Sequence, residues 1–390
     1  MESLLKVAFI GHSYVESSAR QKLAYLALHT TLRLITPSSY PTPFGKFEAD
    51  FEFNREVALD LFPIHFLSFG PTSTRFVLAS RDFGFRKYQP DIIHVENEQH
   101  SWILYQTLLY RKLFAPNAKM IVFSWNNIAA EEQGMKGRAL ELLAALNRRS
   151  VDFFICGNED GKEILLAKGI PVERVEVIPQ FGADTQMFYQ YPPDRRAAAR
   201  QKLEIAPEEF AIGFVGRFVE EKGVLDLVEA AARLNTLTKR SPLLVFLGQG
   251  PLESQVRERC AQLGLRLLIL ASRKNHEVAE AMNSLDALVL PSQSRAFWKE
   301  QFGRVLIEAM ACGIPVIGSD SGEIPNVIGD AGLVFHEGDR DALSRCLLVY
   351  CEDEDKRREL GERGRERVMR NFINERLAER TLEIYERISR

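Results

Sequence analysis

Nowhere in this 390-residue chain is there a run of about 18 consecutive apolar residues, so no transmembrane helix is expected. Cysteine is scarce: Cys156, Cys260, Cys312, Cys346 and Cys351 are odd in number, scattered, and mostly set inside apolar runs. They show neither metal spacing nor a disulfide framework, and read as reduced core residues of a cytoplasmic protein. A charge excess is missing too, since 50 Lys and Arg face 53 Asp and Glu for a formal net of -3. That balance gives no global field toward nucleic acid and none for strong membrane attraction. Low-complexity tracts and solenoid periods are absent. The start, Met1 to His12, has only a brief apolar run ending in polar residues, and is expected to be a strand rather than a signal peptide.

What the chain does have is length and alternation. At 390 residues it exceeds one ordinary core and suggests two domains. Short apolar runs alternate with longer amphipathic segments, the pattern of parallel sheets covered by helices on both faces. In the first half strands are predicted at Lys6 to Ile10, Leu32 to Thr36, Ile64 to Ser68, Asp91 to Val95, Met120 to Phe123, Phe153 to Cys156 and Val175 to Pro179. Helices are predicted near Ser18 to Leu28, Ser73 to Lys87, Ser101 to Leu113, Arg138 to Arg149 and Glu159 to Lys168. The second half repeats the alternation, with strands at Ala211 to Val215, Leu243 to Leu247, Leu267 to Leu270, Ala287 to Leu290, Val316 to Gly318 and Leu333 to Phe335. Between the halves, Gly182 to Arg196 is polar and contains Tyr191-Pro192-Pro193, which breaks a helix and marks the domain joint. The expected domains are therefore 1-190 and 191-373.

The most informative stretch runs from Glu300 to Ile317. Glu300 and Glu308 lie eight residues apart around Gly303, where an apolar helix begins. Amides near Phe302, Gly303 and Arg304 at the start of that helix suit a phosphate through hydrogen bonds and the helix dipole. Glu308, about one turn further in, suits ribose hydroxyls, and Glu300 a hexose; an ordinary helix with an N-terminal acid and a polar face is the alternative. Upstream, a strand ends at Gly216, and a short loop then carries Arg217 and Lys222 ahead of a helix opening at Gly223. Two cations at the carboxyl end of a strand stand where open α/β sheets bind ligands. Arg217 offers a fork for phosphate oxygens and Lys222 a mobile charge, although exposed charges are often only solvated surface.

These segments, together with Phe246-Leu247-Gly248-Gln249-Gly250-Pro251, Ala287-Leu288-Val289-Leu290-Pro291-Ser292 and Ser321-Gly322-Glu323-Ile324-Pro325, resemble the retaining glycosyltransferases of family 4. The resemblance is strong from about Phe210 to Phe335 and weaker before residue 190. It implies the α/β GT-B fold: two Rossmann-like doubly wound domains with a cleft between them, and a C-terminal helix, about 374-390, crossing back to the first domain. The first domain would then bind an acceptor and the second a nucleoside-diphosphate sugar. By resemblance Glu300 contacts the donor sugar and Glu308 the ribose, while Arg217 and Lys222 hold the diphosphate with help from the amides of Phe302, Gly303 and Arg304. The base would rest near Arg273, and the donor is a UDP-, GDP- or ADP-sugar.

The acceptor half departs from the family pattern. Where relatives commonly carry a Gly-Gly loop, this chain has Gly11-His12-Ser13, and where many have a histidine it has Trp125-Asn126. His12 is either an acceptor or phosphate contact or an incidental loop histidine. Trp125 and Asn126 suit sugar stacking and hydroxyl recognition, or else Trp125 packs internally. Glu96, at a strand end, meets acceptor hydroxyls or caps the helix near Ser101.

For the chemistry, the resemblance implies a front-side substitution in which the leaving diphosphate helps deprotonate the acceptor. No metal ligands are expected, because no Asp-x-Asp motif stands in a suitable place and paired cations replace a metal. Other readings are an epimerase or phosphorylase on the same fold, or a catalytically silent sugar-nucleotide-binding protein. The basic segment Lys136 to Arg149 leaves two options: a core-facing helix, or a peripheral contact with the inner membrane face.

Overall fold

The structure, a computed structural model, describes residues 4–42, 45–48, 60–68, 76–129, 134–271 and 275–390. Its contacts divide it into two compact units, Met1–Phe181 with Asn374–Arg390, and Gly182–Ile373. The first unit runs β1 (Lys6–Gly11), α1 (Gln21–His29), β2 (Thr31–Pro37), β3 (Ser39–Thr42), β4 (Gly45–Glu48), β5 (Asp60–Ile64), β6 (Phe66–Ser68), β7 (Phe76–Leu78), α2 (Phe85–Tyr88), β8 (Ile92–Glu96), α3 (Trp102–Phe114), β9 (Lys119–Ser124), α4 (Gly134–Arg149), β10 (Phe153–Cys156), α5 (Glu159–Ala167) and β11 (Val175–Val177). Seven strands form its main sheet in the order β11-β10-β9-β8-β1-β2-β5, every neighbouring pair parallel.

Both faces of this sheet are apolar because helices cover both, as a parallel sheet requires. Along β1 the side chains alternate: Ala8 and Ile10 enter one core cluster with Ile93 and Val122, whereas Val7 and Phe9 enter another with Leu23 and Leu26. That second cluster also takes Leu377, Ala378, Ile384 and Tyr385 from the last helix of the chain (Asn374–Ser389).

The second unit runs α6 (Pro193–Lys202), β12 (Glu209–Val215), α7 (Val224–Leu237), β13 (Ser241–Leu247), α8 (Glu253–Gln262), β14 (Arg266–Leu270), α9 (Asn275–Asn283), β15 (Ala287–Leu290), α10 (Arg304–Ala311), β16 (Val316–Ser319), α11 (Ile324–Ile328), β17 (Gly332–Phe335), α12 (Arg340–Glu352) and α13 (Glu354–Asn371). The final helix is α14 and belongs to the first unit. The six strands of the second sheet lie in the order β14-β13-β12-β15-β16-β17, all parallel. Strand order therefore reverses between β12 and β15, and the crevice beyond their carboxyl ends is where such sheets bind ligands.

Three differences from the sequence reading have physical causes. The helix expected over Ser73 to Lys87 is replaced, in its described part, by β7 and the single turn α2. Strand β7 pairs antiparallel with β6, and its outer backbone groups at Leu78 bond the Gln106 side chain at 3.0 and 2.7 Å. The strand expected from Ile64 to Ser68 is split, since β5 ends at Ile64 in the main sheet and β6 starts the hairpin. Gly182 to Gln190 pack with the second unit, held by an Ala183 amide bond to Phe372 O of 2.8 Å and by Asn283 Nδ2 donating to Tyr189 O at 3.1 Å.

Candidate active site

The loop after β12 and the loop after β15 are pressed together. Gly223 sits at φ 62°, a left-handed conformation that favours glycine. A Cβ there would lie 1.9 Å from Pro291 O, so a side chain would drive the two loops apart. Lys222, one residue earlier, reaches across this contact and its Nζ donates to Glu300 Oε2 at 2.6 Å. Ser292 Oγ donates to the same oxygen at 2.7 Å, and the Lys222 ammonium stands 4.9 Å from the centre of the Trp298 ring. Glu300 is 8% exposed. Its backbone is also fixed, for its carbonyl accepts the Glu323 amide at 3.1 Å, and a Cβ on Gly322 would lie 2.1 Å from that carbonyl oxygen.

Four residues on, α10 begins. Its N-cap is Gly303 at φ 79° and ψ 53°, with no side-chain cap. The first-turn amides of such a helix carry the positive end of the dipole and suit an anion. Arg304 opens the helix and its Nε donates to Glu308 Oε1 at 2.7 Å, an exposed guanidinium over a buried carboxylate. Burial raises the Glu308 pKa above its ordinary value, with Arg304 pulling the other way. Phe302, by contrast, turns its side chain inward, 6% exposed and edge-on to Phe372 at 5.8 Å between ring centres.

Gly216 directly follows β12, its amide donating to Leu247 O at 3.0 Å. Arg217 follows, more than half exposed and 3.6 Å from Glu221. Thus Gly216, Arg217, Lys222, Glu300, Gly303, Arg304 and Glu308 gather at the carboxyl ends of β12 and β15, while Arg273 lies outside the described residues. Two further contributors escaped the sequence reading. Asp226 in the first turn of α7 is buried and accepts Arg340 Nε at 2.6 Å and the Gln293 side chain, tying α7 to the loop after β15. Ser292 belongs to the stretch Ala287 to Ser292 but was given no role; its position two residues beyond an all-buried strand was the available signal.

In the first unit the sequence candidates behave differently from one another. His12 follows β1, half-buried, with Nδ1 3.3 Å from Asn97 Nδ2, and burial lowers its pKa to about 4. Its ring is therefore neutral at physiological pH. Asn126 is also half-buried, its backbone N–H donating to Ser124 Oγ at 3.1 Å. Trp125 is half-buried. Its ring lies against Gly157, where a Cβ would meet it at 2.1 Å, and its Nε1 donates to Gln180 Oε1 at 2.8 Å.

Glu96 is neither exposed to an acceptor nor a helix cap. Its carboxylate accepts Tyr14 Oη at 2.5 Å, Lys22 Nζ at 3.1 Å and Gln180 Nε2 at 2.6 Å, and is 3% exposed. The helix cap is Ser101, whose side chain accepts the Leu104 amide. A lysine inside the apolar stripe Lys22, Leu23 and Leu26 was the sequence signal for a buried acid partner. Among the described residues no group of three or more His, Cys, Asp or Glu side chains is arranged to hold a metal, and no helix is long and apolar enough to cross a membrane.

Comparison with known proteins bears on both units. The family described as Glycosyl transferases group 1 matches residues 195–367, and the Glycosyl transferase 4-like domain matches residues 18–180. N-acetyl-alpha-D-glucosaminyl L-malate synthase from Bacillus anthracis is 31% identical over 52% of this chain and 53% of its own length, so the chain spans about half the length of that curated relative. A solved glycosyltransferase from Rickettsia africae is similar with a TM-score of 0.72 at 18% identity, covering 100% of this chain and 99% of that one. Anabaena HepE in complex with UDP gives 0.71 at 16% identity over 98% and 100%. With both halves matched by their own family descriptions and the whole fold shared, the chain belongs to the group 1 glycosyltransferases of family 4, with the two-domain α/β GT-B fold.

Proposed function

We propose that the chain is a retaining glycosyltransferase that moves a hexose-type sugar from a nucleoside-diphosphate sugar to an acceptor hydroxyl, in polysaccharide or glycoconjugate biosynthesis. The observation that carries this reading is the meeting of Lys222 and Glu300 at 2.6 Å beside the uncapped start of α10. One cation, one buried acid and a row of helix amides at a single switch point match a diphosphate joined to a polyol. The similar fold of Anabaena HepE, solved in complex with UDP, supports a nucleoside diphosphate as ligand, and UDP-, GDP- and ADP-sugars are the donor classes to test.

In this reading the diphosphate lies against Arg217, Lys222 and the amides of Gly303 and Arg304, with Gly216 allowing close approach at the end of β12. Glu308 accepts the ribose hydroxyls, and Glu300 those of the hexose. The acceptor oxygen bonds the anomeric carbon on the face that the diphosphate leaves. The bond from that carbon to the β-phosphate oxygen breaks, and the acceptor proton passes to the departing phosphate. Charge grows on the leaving group, so fixed cations and amides lower the barrier, each worth roughly 3 kcal/mol. Arg217 and Lys222 do the neutralising work a divalent ion would otherwise do, and no metal is needed. The sheet end of the first unit, with neutral His12 and Asn126, is assigned to the acceptor; Glu96 and Trp125 position that end from beneath.

The test is a thermal-shift screen with UDP, GDP, ADP and TDP, followed by donor hydrolysis or transfer with the stabilising nucleotide. Stabilisation by one nucleotide that Arg217→Ala abolishes supports the site. Flat responses to all four would remove the proposal, and binding without hydrolysis or transfer would leave a sugar-nucleotide-binding protein.

A further inference from the structure

We propose that the outer faces of α3 and α4 form a docking surface for an anionic lipid membrane. Trp102, Leu109 and Leu113 on α3, and Leu142 and Leu146 on α4, are each more than half exposed. Residues spaced by four or seven share one side of a helix, so each set forms a stripe. The two stripes are neighbours, because Leu109 and Leu146 line one groove of about 440 Å³ with Arg111, Lys112, Pro116, Asn147 and other residues. Adjacent apolar stripes on a surface mark an interaction site more often than chance exposure does.

Charge chooses the partner. Lys112 lines the groove and is exposed, and Arg149 is exposed at the last position of α4; among the described residues neither has an acid partner. The bordering acids are each outnumbered: Asp152 faces Arg111 at 3.2 Å and Lys119 at 3.7 Å. Glu141 faces Arg148 at 2.6 Å and Lys168 at 3.1 Å. A tryptophan and leucines ringed by surplus cations fit a headgroup boundary with negative lipid. A second copy of the same basic face would repel it. Arg148, inside the basic segment Lys136 to Arg149, is buried against Glu141 and takes no part. This surface belongs to the first unit and uses none of the residues of the proposed donor site, so it stands whether or not the donor chemistry proposed above holds.

Co-sedimentation of the full chain with vesicles tests it, comparing phosphatidylcholine alone with phosphatidylcholine mixed with phosphatidylglycerol. Binding to the anionic vesicles that weakens as salt rises is expected. Lys112→Gln with Arg149→Gln should weaken it about 30-fold. Leu109→Glu with Leu146→Glu should abolish it, while thermal unfolding and nucleotide binding stay as in the unmodified chain because these side chains are exposed. Absence of binding, equal binding to neutral vesicles, or unaltered binding by the folded variants would overturn the proposal. So would a dimer, seen by sedimentation velocity, that Leu109→Glu breaks, since the face would then belong to a second copy.

Discussion

Replacing Lys222 with methionine separates the structural job of this side chain from the catalytic one proposed for it. Methionine keeps most of the apolar stem but removes the charge, leaving the Glu300 carboxylate, 10% exposed in its side chain, beside the Ser292 hydroxyl at 2.7 Å without its ammonium. Stranding one member of a buried ion pair costs about 3–5 kcal/mol. Lys222 keeps 17% of its side-chain surface, so the lower end, about 3 kcal/mol, applies. For a unit of this size that lowers the melting temperature by about 6–12 °C. Glu300→Gln in the same chain removes the stranded charge and should return most of that stability. It should not return activity, because the missing ammonium no longer meets the leaving diphosphate, a loss of roughly 100-fold in turnover. Thermal unfolding and donor hydrolysis are measured on Lys222→Met, Glu300→Gln and the double variant. Recovery of turnover along with stability in the double variant, or less than a tenfold fall in Lys222→Met, would refute the catalytic half of the argument.

Glu308→Gln should bind the stabilising nucleotide about tenfold more weakly by calorimetry, the loss expected when a charged hydrogen bond becomes neutral. The same variant should be no less stable than the unmodified chain at neutral pH. Burial raises the Glu308 pKa, so the folded state holds the proton more tightly, and this group's contribution to stability falls as pH climbs from the unfolded carboxyl value through the raised one; the glutamine variant should lose that component of the pH profile. Gly223→Ala combines a left-handed φ of 62° with a Cβ 1.9 Å from Pro291 O, and should melt markedly lower, by at least about 2 kcal/mol, while Gly264→Ala, with a similar φ but open space around it, should cost less. Glu96→Gln strands buried Lys22 and should destabilise by about 3 kcal/mol, with partial rescue by Lys22→Met; a neutral result in chemical denaturation would overturn the assignment of Glu96 as an internal anchor.

Much of this protein was legible one residue at a time. Runs such as Ala287 to Leu290 are apolar throughout because parallel strands are buried on both faces, and the glycine at 303 announces a helix start without a side-chain cap. What misled was side-chain direction at strand ends. Glu96 and Trp125 sit where ligands commonly bind, yet their side chains are taken up by Tyr14, Lys22, Gln180 and Gly157, partners far along the chain that no spacing rule reaches. The strand at Phe76–Leu78 failed for the same reason, its pairing set by β6 and by Gln106 rather than by local periodicity.

Local chemistry alone thus determined the alternating elements, the helix that opens at Gly303 and the residue types able to grip a diphosphate, since these depend on neighbours within a turn or two. Only the tertiary structure decided that Lys222 closes on Glu300 from 78 residues away, and that Glu96 is an anchor rather than a contact. Such pairings follow from which strand ends the sheet order brings together, and sheet order is a property of the whole unit.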